Sequence, residues 1–261
     1  MPGLLHRLIA PKPRSVERDA VPLVLHDERV IIVQRVRDPR AKRIKLSVDE
    51  RGARLTLPLR ASLVSGERFL HEHRQWLSTQ LEKFSSNDAA PVLARGVTSH
   101  LPLRGEPLPL AWHEGRYTRL TRDDEGLHFH APARASDATL RRALREFYEA
   151  EARADVGGWL PRYLPALPRA PARIRLKVMS SQWGSLSPDG SLALDLALVL
   201  GRPSAFEYVL VHELCHLVHA NHSRAFWREV EARFPAWREE RDYFHAHGRD
   251  LKSGLRKLLA G

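Results

Sequence analysis

The segment from His212 to His222 constrains this chain more than any other, because it places four of the 14 histidines within eleven residues. His212 and His216 are four residues apart, so on a helix both imidazoles lie on one face and can bind one cation. Glu213 then lies beside them as the only ionisable acid of the pattern His-Glu-x-x-His. The spacing therefore predicts a helix here, and its chemistry depends on whether a third ligand comes close.

The third candidate ligand is His222, and a straight helix would carry it away from the first two histidines. It would lie roughly 9 Å further along the axis than His216 and be rotated by about 240° around it. Asn221, however, readily adopts left-handed conformations, and Ser223 is a good N-cap. We therefore predict that the helix ends near His219, that the chain turns, and that a new helix from Ser223 brings His222 back.

Three histidines and a water form the open tetrahedral zinc site that is typical of catalytic centres. Neutral imidazoles leave the zinc its full charge, which lowers the pKa of a bound water towards about 7. The sequence thus predicts that His212, His216 and His222 bind zinc and that Glu213 is the general base. His219 satisfies carbonyls at the helix end, supports a metal ligand through a hydrogen bond, or donates to the transition state.

Further motifs accompany this segment, and together they resemble the YgjP-like metallopeptidase family, a bacterial branch of the zincins related to the SprT-like proteins. The motifs are His212-Glu213-Leu214-Cys215-His216, Asn221-His222-Ser223, Phe226-Trp227 and Trp183-Gly184-Ser185. The resemblance follows the element order over roughly residues 28 to 247 and is tight over 174 to 234. It implies a zinc-dependent peptidase whose ligands are His212, His216 and His222, with Glu213 as the base.

The chain departs from this family at two positions of a strand that is expected near the cleft. Family members usually carry Arg-Trp-Gly-Ser-Cys, whereas this chain has Gln182 and Leu186 at the two ends of that motif. The zinc ligands are unaffected. The departure bears on contacts to the substrate.

We expect an α+β fold in two lobes. Alternating apolar residues in 30–33 and 44–48 predict strands, and apolar residues every seven positions from Leu63 predict a helix that covers them. Ser136 or Asp137 caps a long helix that reaches at least Val156. The expected division is a loose leader at 1–20, a β-rich lobe at 21–133 with a helix near 62–84, a zincin-like metallopeptidase lobe at 134–248, and a basic tail at 249–261.

The C-terminal lobe is predicted to contain a hairpin. The stretches 174–178 and 192–198 both alternate, and Ser187-Pro188-Asp189-Gly190 fits a type I turn between them. Ser204 and Glu207 form a capping box that predicts the start of the histidine-bearing helix. An exposed edge strand in 174–198 could pair with a substrate backbone.

Net charge and cysteine content limit the possible partners and cellular locations of the protein. The net charge is +11, and residues 35–60 carry nine Lys or Arg against three Asp or Glu, 9 − 3 = +6. This cluster is either a solvated face or a footprint for nucleic acid. No apolar run is long enough to span a membrane, and Cys215, the single cysteine, is predicted to be buried. These features indicate a cytoplasmic protein.

The function that the sequence favours is zinc-dependent hydrolysis of a peptide bond in a protein or peptide. Two alternatives stay open: a metal-dependent phosphohydrolase that acts on nucleotides, and a nucleic-acid-associated protein with an auxiliary metal site. His128 and His130 lie two apart on a predicted strand and share a face, but a half-exposed strand face explains them without a metal. The sequence does not indicate the oligomeric state.

Overall fold

The computed structural model describes residues 16–49, 52–85 and 92–260. Within them the fold is mixed α and β, as predicted, with three small sheets and six helices. The strands are β1 Glu17–Val24, β2 Val30–Arg37, β3 Lys45–Asp49, β4 Gly52–Leu57, β5 His100–Leu103, β6 Glu106–Glu114, β7 Arg119–Arg122, β8 Leu127–Ala131, β9 Arg173–Lys177, β10 Gly184–Leu186 and β11 Ser191–Asp195. The helices are α1 Leu63–Glu72, α2 Arg74–Ser85, α3 Asp137–Tyr163, α4 Pro203–Cys215, α5 Arg224–Arg233 and α6 Trp237–Leu259.

The chain divides into two compact units, residues 1–89 and 90–261. The first unit contains a four-stranded sheet in the order β1-β2-β4-β3, in which β2 and β4 are parallel and the other pairs antiparallel. Leu55 and Leu57 of β4 are fully buried against Leu70 and Leu77 of the two helices. Gly66 permits this close packing, because a Cβ there would lie 3.1 Å from the Leu57 side chain.

The helix that we expected near 62–84 is two helices in the structure. The backbone leaves helical geometry at His73, with φ −106° and ψ 15°, and the His73 imidazole contacts the carbonyl of Phe69 at 2.9 Å. The apolar repeat runs through this break, since Leu70 and Leu77 on either side are both buried. Periodicity therefore indicated the buried face and concealed the interruption.

The second unit contains two sheets, with strand orders β5-β6-β8-β7 and β10-β11-β9. Its core joins residues of both sheets to α3 and to α4, including Phe129, Tyr148, Leu194 and Leu210. The boundary that we expected at 134 differs from the observed division at 89/90, because β5–β8 share this core. Helix α3 begins at its predicted cap, where the Ser136 side chain accepts a hydrogen bond from Thr139 N.

The expected hairpin between 174–178 and 192–198 is absent from the structure. Strands β9 and β11 are parallel, and the turn at 187–190 instead joins the short strand β10 to β11. The apolar alternation also continues past the strand, since Leu196–Leu200 form a 3-10 turn that is buried throughout. The three-residue β10 is too short to produce a periodic signal, which is why the pairing was assigned to the wrong strand.

The two expected terminal segments differ from the structure where they are described. Most of the leader at 1–20 lies outside the described residues, and β1 begins at Glu17. Within the basic tail expected at 249–261, residues 249–259 are the end of α6, with Leu255 and Leu258 fully buried. Among the helices described, none combines the length and apolarity that crossing a membrane requires.

Candidate metal centre and its cleft

Helix α4 positions the first two histidines. It begins with Pro203 at its first position, and the carbonyl of Arg202 accepts the first helical hydrogen bonds, so the cap that we predicted at Ser204 is instead the second residue of the helix. Nearly all of its length is buried, which fixes its orientation in the core. His212 and His216 thus extend from a rigid element on one face.

The chain turns back after α4 as the sequence predicts, although the helix ends at Cys215 rather than near His219. Tighter i to i+3 hydrogen bonds continue over residues 216–218. Helix α5 then begins at its predicted N-cap, where the Ser223 side chain accepts a hydrogen bond from Phe226 N at 3.3 Å. His222 precedes this cap directly, so the turn and the cap together determine its position.

The turn brings the three predicted ligands together. His212, His216 and His222 each offer a ring nitrogen, and these three atoms all lie within 4.8 Å of one another. The Nε2 atoms of His212 and His222 are 3.0 Å apart. His216 directs its Nδ1 to the carbonyl of His219 at 3.0 Å, which leaves its Nε2 for a ligand. Orientation of one ring nitrogen by a carbonyl is the usual support for a metal-binding histidine.

The electrostatics of the cluster suit a cation held by neutral imidazoles. Burial, together with the neighbouring His216 and His222, lowers the pKa of His212 to about 3. Burial and His216 likewise lower the pKa of His222. Both rings are therefore neutral at pH 7, which is the form that binds a metal. The Nδ1 atom of His212 is buried and has no hydrogen-bond partner among the described residues, whereas its Nε2 lies 3.0 Å from His222 Nε2.

Glu213 lies beside the cluster, next to the backbone of β10. The residue is 7% exposed, and the backbone N–H of Leu186 lies close enough to the carboxylate to influence its pKa. Burial raises the pKa of Glu213 to about 7, and the Leu186 hydrogen bond acts in the opposite direction. Gly184 provides the space, because a Cβ there would lie 2.6 Å from Glu213 Cγ and 2.8 Å from Oε1.

The segment before β10 is anchored on α6. Lys252 donates to the carbonyl of Gln182 at 2.8 Å, forms an ion pair with the buried Asp195, and lies 4.2 Å from the centre of the Trp183 ring. Gly248 allows Trp183 to pack on the helix, since a Cβ there would meet the indole at 2.9 Å. Gln182 and Leu186 are the two positions that depart from the family pattern. Gln182 contacts Lys252 through its backbone carbonyl, and Leu186 lies beside Glu213 with its backbone N–H.

A cleft of about 970 Å³ opens onto this group. Its walls include the three histidines and Glu213, the β10 backbone, and side chains from α4 and α6 such as Tyr208 and Arg241. The Tyr208 ring is buried and meets His212 edge-on, with 5.9 Å between ring centres. Burial raises the pKa of Tyr208 to about 12. Sequence reasoning did not single out Tyr208, and only its position one turn before His212 could have indicated it.

Cys215 lies in the core, as expected from its position around the helix. It is fully buried, and burial raises the pKa of its thiol to about 11. A thiol in this state is neither a ready nucleophile nor a thiolate ligand at neutral pH. The side chain therefore serves packing.

His128 and His130 acquire a neighbour in the structure, because His113 on β6 lies across from them on β8. His128 contacts His113 at 3.0 Å between ring nitrogens and Asp123 at 3.0 Å through its other nitrogen. Among the described residues, however, three potential ligand atoms come within 4.8 Å of one another only at His212, His216 and His222. The strand-face explanation of His128 and His130 is therefore sufficient.

The basic cluster of residues 35–60 lies in the first unit and lines a separate groove of about 670 Å³. Some of its arginines are engaged elsewhere: Arg35 pairs with Asp19, and Arg37 donates to the carbonyls of Leu59 and Ala61. The groove is lined by the five cationic residues Arg40, Lys42, Arg43, Lys45 and Arg54, with Asp38 as its acidic residue.

Comparison with known proteins finds a matching family and a similar solved structure. A family model described as the YgjP-like metallopeptidase domain matches residues 42–247. Among solved structures, the metallopeptidase zymogen of Pyrococcus abyssi abylysin is 27% identical, and the match covers 39% of this chain and 92% of that chain with a TM-score of 0.29. A TM-score this low supports no statement about the fold. None of the curated proteins compared with the chain is significantly similar to it.

Proposed function

Because the chain belongs to the YgjP-like metallopeptidase family, we propose that it hydrolyses peptide bonds with a zinc ion held by His212, His216 and His222. The observation that carries the proposal is the approach of three ring nitrogens to within 4.8 Å, with the buried carboxylate of Glu213 beside them in one cleft. Ion-binding residues outside a catalytic cleft would not require such a carboxylate.

Zinc is the metal that the donor set favours. Three neutral imidazoles are borderline-soft nitrogen donors, which suit zinc better than the oxygen-seeking magnesium or calcium. Three protein ligands also leave a fourth position open. When bound, zinc would supply a Lewis acid that lowers the pKa of a coordinated water.

Glu213 is proposed as the general base. Its carboxylate lies in the same cleft as the histidines and is confined by the close approach of Gly184, so it can accept a proton from water and deliver it to the leaving amine. Burial weakens its hydration and thereby raises its basicity. The role thus requires both the acid itself and the close approach of β10.

Strand β10 is proposed to bind the substrate backbone. It is an edge strand, since the order of its sheet is β10-β11-β9, and its residues line the cleft beside the histidines. An extended peptide can add to such an edge by main-chain hydrogen bonds. This mode recognises backbone first, so unfolded or extended protein segments are the expected substrates.

Replacement of Glu213 by Gln tests the proposal. Purified protein loaded with zinc is assayed on an unstructured protein and, separately, on nucleoside triphosphates. We expect proteolysis by the parent, and a loss of at least about 10²-fold in kcat for Glu213→Gln with unchanged zinc content, since general base catalysis contributes about 10²- to 10⁴-fold. Equal rates for both proteins, or hydrolysis of the nucleotides alone, would overturn it.

The cationic groove supports a second candidate function, binding of nucleic acid by the first unit. Five cationic side chains converge there on one groove, and such a surface is favourable for phosphates. Affinity for DNA should then fall steeply with salt, and neutral replacements of Arg40, Lys42 and Arg43 should flatten that dependence. A protein that shows no binding even at low salt has only a solvated basic face.

A reducing, cytoplasmic location is also proposed. Cys215 is the single cysteine of the sequence and is fully buried, so no disulfide contributes to this fold. A fractionation that recovered the protein outside the cytoplasm would contradict it.

A further inference from the structure

Tyr208 lies in the wall of the cleft with its ring buried and its hydroxyl without a partner. The residue is 7% exposed, and its ring contacts His212 and Phe234, with 5.9 and 6.0 Å between ring centres. No described residue forms a hydrogen bond with its hydroxyl, whereas the buried Tyr148 and Tyr163 both donate theirs, to the Pro102 carbonyl and to Glu207. Tyr208 is therefore an exception among the tyrosines of this unit's core.

The hydroxyl of this buried ring is open to the cleft, since it is not among the fully buried polar atoms of the described residues that lack a partner. Buried tyrosines usually find a hydrogen-bond partner for their hydroxyl. The cleft is the open space beside Tyr208, and its lining also includes His212 and Glu213. A molecule in the cleft can therefore receive the hydrogen bond that the protein leaves unmade.

The position of Tyr208 on α4 relates this hydroxyl to the reacting group. Tyr208 precedes His212 by four residues, so the two side chains share one face of the helix one turn apart. A phenol has an ordinary pKa near 10 and is therefore an O–H donor at neutral pH. A fixed donor next to the metal-binding face is the arrangement that stabilises negative charge developing on a carbonyl oxygen.

We infer that the Tyr208 hydroxyl donates a hydrogen bond to the oxygen of the scissile carbonyl as that oxygen becomes negatively charged, an inference that rests on the proposed peptidase function. Water adds to the carbonyl carbon, its proton passes to Glu213, and the C=O electron pair moves to the oxygen that Tyr208 contacts. When the C–N bond breaks, the electrons return to form the new carboxyl group and the proton goes to the leaving amine. Tyr208 keeps its own proton throughout.

Tyr208→Phe tests this role, because it removes the hydroxyl and preserves the ring packing. We expect kcat to fall about 10²- to 10³-fold, the usual effect of removing one oxyanion donor, while KM and zinc content stay close to those of the parent. Tyr117→Phe is the matched control, since Tyr117 is 67% exposed and lies outside the cleft lining. It should not change kcat.

Binding gives a second measurement that does not depend on turnover. A phosphonamidate peptide, which mimics the tetrahedral transition state, should bind Tyr208→Phe about 10²-fold more weakly than the parent. The corresponding amide peptide, measured in a Glu213→Gln background, should bind equally with and without Tyr208→Phe. Phosphonamidate affinities within about twofold of each other would overturn the role of Tyr208, even if the parent cleaved no peptide. A parent without proteolysis would instead contradict the proposed function.

Discussion

Gly184→Ala should inactivate the proposed peptidase by displacing its general base. A Cβ at this position would lie 2.6 Å from Glu213 Cγ, 2.8 Å from Oε1 and 2.9 Å from Cδ. Unstrained contacts between carbon atoms lie at about 3.5–4.0 Å, so the overlap is about 1 Å. Glu213 extends from the buried helix α4, and Gly184 belongs to a strand that pairs with β11. Either the carboxylate or β10 must therefore move.

The size of the effect follows from this displacement. A shift of about 1 Å at a reacting group can cost about 10²-fold in rate, and complete loss of a general base costs about 10²- to 10⁴-fold. We expect kcat for Gly184→Ala to fall about 10²-fold or more. Zinc content should be retained, because the atoms that Gly184 approaches belong to Glu213 rather than to the three histidines.

The assay is zinc-dependent hydrolysis of an unstructured protein at matched metal content, with thermal unfolding measured in parallel. Gly158→Ala is the control, since a Cβ at Gly158 meets nothing within 4 Å and the residue lies in the helix α3. That change should stabilise the protein by about 0.5–1 kcal/mol and leave the rate unaltered. A Gly184→Ala protein that is folded, zinc-loaded and within about threefold of the parent rate would refute the reasoning.

Three further predictions concern the metal and the turn that positions its ligands. His222→Ala should lower zinc occupancy as much as His212→Ala, measured by equilibrium dialysis, and full occupancy would show that His222 is not a ligand. Removal of zinc by a chelator should lower the unfolding temperature, since a ligand at 100 times its Kd stabilises the folded state by about 2.7 kcal/mol; identical melting curves would argue against a bound metal. Ser223→Ala should cost about 1 kcal/mol in urea unfolding and weaken zinc binding, because it removes the cap that begins α5 beside His222; an unchanged unfolding midpoint would contradict the capping role.

The parts of the fold that the sequence predicted are those determined by local chemistry. The capping side chains of Ser136 and Ser223 mark the starts of α3 and α5, because a hydroxyl one residue before a helix satisfies an N–H that is otherwise unpaired. The same logic misplaced the start of α4. There Pro203 occupies the first turn, and Glu207 is engaged by Tyr163 rather than by the helix start. Tertiary contacts thus override a local capping motif.

In the candidate site, too, the features determined by local sequence were predictable and those determined by tertiary contacts were not. The approach of His222 to His212 was predictable, since it requires only a helix end, a turn and a cap, and a few neighbouring residues encode all three. The environment of Glu213 was not, because β10 approaches it from a distance in the sequence and uses backbone atoms. The N–H of Leu186 and the missing Cβ of Gly184 have no periodic or compositional signal. A family motif can mark such positions, but only the structure gives the reason.

This use of backbone also explains how the chain can depart from its family next to the proposed base. Gln182 offers its carbonyl to Lys252, and Leu186 influences Glu213 through its backbone N–H, so neither effect depends on the identity of the side chain. Gly184 differs, because any side chain there collides with Glu213. The segment 182–186 is therefore constrained at Gly184, its central residue, and free at its two ends with respect to the base. Variation at positions 182 and 186, whose residues also line the cleft, should alter which peptides bind and leave the position of the base intact.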